Sequence, residues 1–140
     1  MTPRIAFVGA GPTTLYTLHA LLAHHPSPFR LAVYEAQACA GRGTPYRPGW
    51  NDPAMLANIA SIEIPPLAET LCDWLIRQPP ERRADLGIGP HAIGERTFYP
   101  RVALGEYFRD QFDAVIDMAR ARGIELELRT RCRVEDVVST

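Results

Sequence analysis

The sequence predicts an α/β fold of the Rossmann-like, three-layer type with a mostly parallel sheet. Three observations carry that expectation. A short apolar run, Arg4 to Val8, ends in Gly9-Ala10-Gly11; Leu15, Leu18 and Leu22 then recur at helical spacing; and a second apolar run, Arg30 to Glu35, closes on a carboxylate. Strand, helix and strand in so short a span form a βαβ unit, whose right-handed crossover leaves the two strands parallel.

Each element has a local reason. The first run is apolar without alternation, as suits a strand buried on both faces. Pro12 stands where the helix begins, since its missing N–H has no partner there in any case. The helix should reach about His25 and close in His24-His25-Pro26-Ser27-Pro28. From Ala36 to Pro66 the periodicity fades while Gly41, Gly43, Pro45, Pro48 and Gly49 crowd together, a loop long enough to carry a function. Leu67, Leu71 and Leu75 share one face of a short helix expected over 67–78, between Pro66 and Pro79-Pro80. The stretch 81–101 reads as irregular. Leu104, Phe108, Phe112, Val115 and Ala119 line a longer helix that stops at Gly123. Ile124, Leu126 and Leu128 then alternate with Glu125, Glu127 and Arg129 as a strand with one polar face, and the tail from Arg131 reads as the start of another extended segment.

Composition narrows the function. The chain has 140 residues, enough for one domain, and residues 1–140 are read as one. A formal net charge of -1 argues against the basic field that nucleic-acid binding needs. Three scattered cysteines, Cys39, Cys72 and Cys132, suit neither a disulfide framework nor a metal site, so a reducing cytoplasm and no metal are expected. The apolar N-terminal stretch is cut by Gly9, Gly11 and Pro12, which turn a strand into a helix, so it is read as part of the fold and not as a leader or membrane span.

The glycine-rich turn suits a pyrophosphate. Such a group needs close backbone approach, which Gly9 and Gly11 permit, and free N–H groups at a helix start, which Thr13 and Thr14 supply after Pro12. Thr14 stands where the G-x-G-x-x-G fingerprint has its third glycine, a position that mainly lets helix and strand pack closely. Glu35 ends the second strand where a carboxylate accepts hydrogen bonds from a ribose diol, and its charge favours an unphosphorylated adenosine over a 2′-phosphate. Arg42 and Gly43 follow in the loop, as a cation for the pyrophosphate and a point of close approach. His19, His24, His25 and His91 have no partner at catalytic or metal spacing. Tyr46 is read as a loop anchor, Trp74 and Tyr107 as core, and Asn58 and Arg101 as residues that loop structure explains as well as ligand contact does.

Gly9-Ala-Gly-Pro-Thr-Thr14, Glu35, Gly41-Arg-Gly-Thr-Pro-Tyr46, the Asn58 neighbourhood, Asp73-Trp-Leu75 and Pro100-Arg-Val-Ala-Leu-Gly-Glu-Tyr107 together resemble the bacterial FAD-NAD(P)-binding protein family over nearly the whole chain. The resemblance implies FAD as the first dinucleotide, NAD(P)H as a reductant and a small-molecule substrate of unknown identity. It implies the opening, FAD-binding part of a flavin-dependent oxidoreductase, distantly similar to N-hydroxylating monooxygenases. Proteins of that kind run to several hundred residues, so the fold is expected to be incomplete relative to a full FAD-binding domain. The chain is read as an N-terminal fragment that is not expected to be active alone. No catalytic residue is assigned, because the flavin carries the redox chemistry and the protein binds and orients it. Two other readings stand beside this one: a non-catalytic, truncated Rossmann-like module, and a methyltransferase that binds S-adenosylmethionine. The oligomeric state is unknown.

Overall fold

A computed structural model describes residues 2–25 and 27–139. Pro26, within the segment expected to close the first helix, lies outside the described residues, as do the two chain ends. The elements are β1 (Arg4–Val8), α1 (Pro12–His24), β2 (Arg30–Tyr34), a 3-10 turn (Ser61–Glu63), α2 (Leu71–Arg77), α3 (Pro80–Asp85), α4 (Arg101–Ala121) and β3 (Glu125–Arg129). Mixed α/β architecture is therefore present as expected, with an open, all-parallel, three-stranded sheet in the order β1-β2-β3. It is a partial Rossmann-like fold.

The register explains which faces are buried. Phe7 lies beside Val33 and Leu128, and Ile5 beside Leu31 and Leu126. These side chains meet Leu15, Leu18 and Leu22 of α1 and Phe112, Val115 and Ala119 of α4 in one core. The alternate row, Val8 beside Tyr34 and Arg129, points the other way, and Val8 is 62% exposed. Among the described residues the helices that bury apolar surface thus cover one face of the sheet. The second helical layer of a full three-layer fold is not among them. No described helix is long and apolar enough to cross a membrane.

Three expectations need correction. The helix expected over 67–78 begins only at Leu71, because Thr70 caps it: its Oγ1 accepts from the Asp73 amide at 3.1 Å while donating to Asp73 Oδ2 at 2.7 Å. Leu67 stays buried ahead of that cap, and the Ala68 and Glu69 amides donate to Gln111 Oε1 instead of entering the helix. The stretch expected to be irregular contains α3, which Pro80 opens and which buries no residue. Without an apolar stripe it has no periodic signal; Arg82 ties it to α4 by an ion pair with Asp110 at 2.9 Å. Finally, residues 130–139 form no strand. The Arg131 amide donates to Gln37 O at 2.8 Å and the Cys132 amide to Glu35 O at 2.9 Å, which lays the chain after β3 beside the end of β2.

Candidate functional site

The turn between β1 and α1 is built by glycine where other residues would strain. Gly9 has φ +91, and a side chain there would meet nothing within 4 Å, so the backbone angle and not crowding requires glycine. Its amide donates to Tyr34 O at 2.8 Å, which joins the turn to the end of β2. Gly11 is the N-cap of α1, no side chain caps the helix and no acidic residue sits in its first turn. The first intrahelical bond runs from the Leu15 amide to Gly11 O at 3.0 Å, so the Thr13 and Thr14 amides have no acceptor within the helix. The positive end of α1 is left for a ligand to meet.

Thr14, which departs from the fingerprint, is buried and useful. Its hydroxyl donates to Gly9 O at 2.7 Å, tying the first turn of the helix back to the glycine it follows. The threonine is thus accommodated between helix and strand with its hydroxyl satisfied. Glu35 is only 9% exposed. Its Oε2 accepts from the Ala10 amide and its Oε1 from the Gln37 amide, each at 2.8 Å, so the carboxylate is fixed between the glycine turn and the strand end. Each oxygen keeps a lone pair for a further donor.

The 41–46 loop is pressed between this turn and α4. A Cβ on Gly43 would lie 2.8 Å from Pro12 Cδ, and one on Gly41 would lie 2.7 Å from Arg109 Cα and from Phe108 O. One on Gly105 of α4 would overlap the Tyr46 carbonyl oxygen. The Gly41 amide donates to Ala10 O at 2.6 Å. The two motifs Gly41–Tyr46 and Pro100–Tyr107 are thus packing partners: Gly41 and Gly105 stand where backbones meet, and Gly41 and Gly43 in addition have φ +98 and +65. Tyr46 stacks at an angle on Phe108, with ring centroids 5.3 Å apart.

Gly9, Gly11, Pro12, Thr13, Thr14, Glu35 and Gly43 all line one cleft of about 930 Å³ at the carboxyl ends of the strands. That is where open α/β sheets hold their ligands. Arg42 is turned away from it. Its guanidinium pairs with Glu106 of α4, in a network where Arg82 and Arg109 also reach Glu106 and Asp110. Burial pushes the Asp110 carboxyl up, but hydrogen bonds from Arg82 and Trp74 outweigh it and hold the group below the ordinary aspartate range. Arg42 instead lines a smaller neighbouring pocket of about 260 Å³ together with Glu35, Cys39 and Arg47.

Trp74 and Tyr107 are fully buried, and Asn58 and Arg101 are not among the cleft residues. Burial, and then the neighbouring Tyr46, pushes the Tyr16 phenol up to about 12. It stays protonated at neutral pH, with its hydroxyl donating to Pro65 O at 2.7 Å. Sequence reasoning missed Arg47, Trp50, Gln37 and the segment 132–134, all of which line the cleft. The last of these arrives only because β3 pairs with β2, a contact no local pattern encodes. Among the described residues no group of three or more His, Cys, Asp or Glu side chains could hold a metal ion.

A parallel sheet with an uncapped helix start and a strand-ending carboxylate around one cleft defines a nucleotide-binding module of the Rossmann class. More particularly, the model of the FAD-NAD(P)-binding family matches residues 6–140, and the chain belongs to that family. It is 42% identical over 137 residues to a protein of Escherichia coli (strain K12) described as uncharacterized protein YdhS. The match covers 98% of this chain and 26% of that relative, so the chain spans about a quarter of the relative's length.

Proposed function

We propose that this chain holds the adenosine and diphosphate half of FAD in a flavin-dependent oxidoreductase that uses NAD(P)H as reductant and acts on a small molecule. The observation that carries the reading is the pairing, across one cleft, of the uncapped α1 N-terminus with the buried Glu35 carboxylate. The helix start favours the negative diphosphate. Glu35, held by the Ala10 and Gln37 amides, accepts from the ribose hydroxyls and repels a 2′-phosphate, which favours FAD over NADP at this site. The open space in front of Gly9 leaves room for close approach. Family membership supports a dinucleotide over S-adenosylmethionine. In such a protein the flavin supplies the electron transfer, and this chain's residues bind and orient it. Three free cysteines suit a reducing compartment, and we assign the cytoplasm.

Calorimetric titration of the purified chain tests the reading. FAD and ADP-ribose should both bind, while 2′-phospho-ADP-ribose should bind at least about tenfold more weakly, a difference of roughly 1.4 kcal/mol. A folded chain that takes up neither FAD nor ADP-ribose would sink it.

A further inference from the structure

Arg42 was the cation that the sequence offered for the diphosphate, and the structure spends it on Glu106. Another arginine stands closer to the task. Arg47 lines both the main cleft and the smaller pocket beside it, and among the described residues it makes no ion pair. Its guanidinium lies over the Trp50 ring, 5.0 Å from the centroid. Trp50 is 65% exposed and lines the cleft, an unusual position for a large aromatic side chain unless it has something to hold.

The segment that carries both residues is anchored at each end. Upstream, Tyr46 is clamped against Gly105 and Phe108. Across the turn, Asn51 Nδ2 donates to Pro45 O at 2.6 Å and the Trp50 amide to Arg47 O at 3.3 Å. The loop therefore presents the guanidinium from a fixed base, and the indole limits where it can swing. Arginine over an aromatic face keeps its charge and its hydrogen-bond donors, so it is restrained without being neutralised. By contrast Arg133, which lines the same cleft from the segment after β3, is exposed.

Resting on the dinucleotide reading above, we propose that Arg47, restrained by Trp50, is the cation that meets the diphosphate, and that Arg42 is a structural residue. Arg47 donates to the phosphate oxygens opposite the α1 N-terminus; Trp50 is a positioning residue that acts through it.

The test is FAD and ADP-ribose affinity by calorimetry at low and high salt, for the unaltered chain and for Arg47→Gln, Arg47→Lys, Arg42→Gln, Arg133→Gln, Trp50→Phe and Trp50→Ala. Arg47→Gln should weaken both ligands about tenfold and flatten the salt dependence, because one screened charge–charge contact is gone. Arg47→Lys should recover part of the loss without the forked donors. Trp50→Ala should weaken binding about threefold and Trp50→Phe hardly at all, since a phenyl face still holds the guanidinium. Arg42→Gln should lower the unfolding midpoint yet leave the salt dependence unchanged. The proposal is overturned if Arg47→Gln binds both ligands as the unaltered chain does, or if Arg42→Gln or Arg133→Gln removes the salt dependence instead. A loss confined to FAD would also overturn it, because ADP-ribose carries the same diphosphate. An unaltered chain that binds neither ligand would overturn the dinucleotide reading itself, and this with it.

Discussion

A Cβ built on Gly9 would meet nothing within 4 Å, whereas one built on Gly105 would overlap the Tyr46 carbonyl oxygen. Both glycines belong to short glycine-bearing motifs at a helix start: Gly9 precedes α1, and Gly105 lies in the second turn of α4. At Gly9 there is free space beside the backbone and only the positive φ demands glycine, although Gly11 two residues on already lies against Gly43 Cα. Where the 41–46 loop meets α4 there is no space: Gly41 and Gly43 combine a positive φ with close contacts, and Gly105 is demanded by contact with the Tyr46 backbone alone. The difference separates a turn that borders the cleft from a seam between packed backbones. Arg42, whose motif lies on the seam, pairs with Glu106, whereas Arg47, a few residues on, lines the cleft.

Substitutions on each side should break in different ways. The largest effect is expected at the seam: Gly105→Ala should cost about 3 kcal/mol of stability or more, read as a fall in the urea midpoint, because the Tyr46 carbonyl cannot move without displacing the loop. If stability stays within about 0.5 kcal/mol of the parent, the contact is softer than it looks. Next comes Glu35→Ala. It leaves the buried Ala10 amide without its acceptor and should cost roughly 2 kcal/mol, with FAD binding lost alongside. Gly9→Ala should cost about 1 to 2 kcal/mol through its backbone angle alone. Its signature is a fall in dinucleotide affinity larger than Gly105→Ala produces in whatever fraction remains folded.

Thr14→Val should be milder, about 1 kcal/mol, since it removes the hydroxyl bond to Gly9 O while keeping the volume. The smallest effect is in the acid limb. The Asp110 carboxyl is held below its ordinary range in the folded chain, chiefly by Arg82 and Trp74 against the opposing pull of burial. Its contribution is therefore complete above the unfolded aspartate value and disappears as pH falls through the folded one. Asp110→Asn should flatten stability against pH in that window and leave neutral-pH ligand affinity alone. An acid limb of unchanged slope would show that other carboxylates dominate it.

Much of this was legible in the sequence. β1, α1, β2, α4 and β3 each bury a repeating set of apolar side chains, and repetition is what a sequence displays. The α3 helix carries no such stripe and depends on Arg82 reaching Asp110, so it could not be read locally. The start of α2 was displaced by a cap, Thr70 with Asp73, that lies in plain sight but competes with the apolar spacing of Leu67. In the site, the glycine turn and Glu35 were legible because their positions follow from one βαβ unit. The 41–50 loop was not, since its course is set by contacts with α4 more than fifty residues away in the chain.

The sequence alone therefore determined the βαβ glycine turn and the carboxylate beside it, because both depend on residues close together in the chain and on their periodicity, and it determined the family through motifs that can be read one by one along the chain. Only the tertiary structure decided which arginine faces the cleft. It also decided which glycines border the cleft and which stand where backbones meet, and that the segment after β3 closes one wall. Those outcomes turn on which side chain reaches a distant partner first. Arg42 finds Glu106 across the α4 seam, whereas Arg47 rests on Trp50 and leaves its charge facing the cleft.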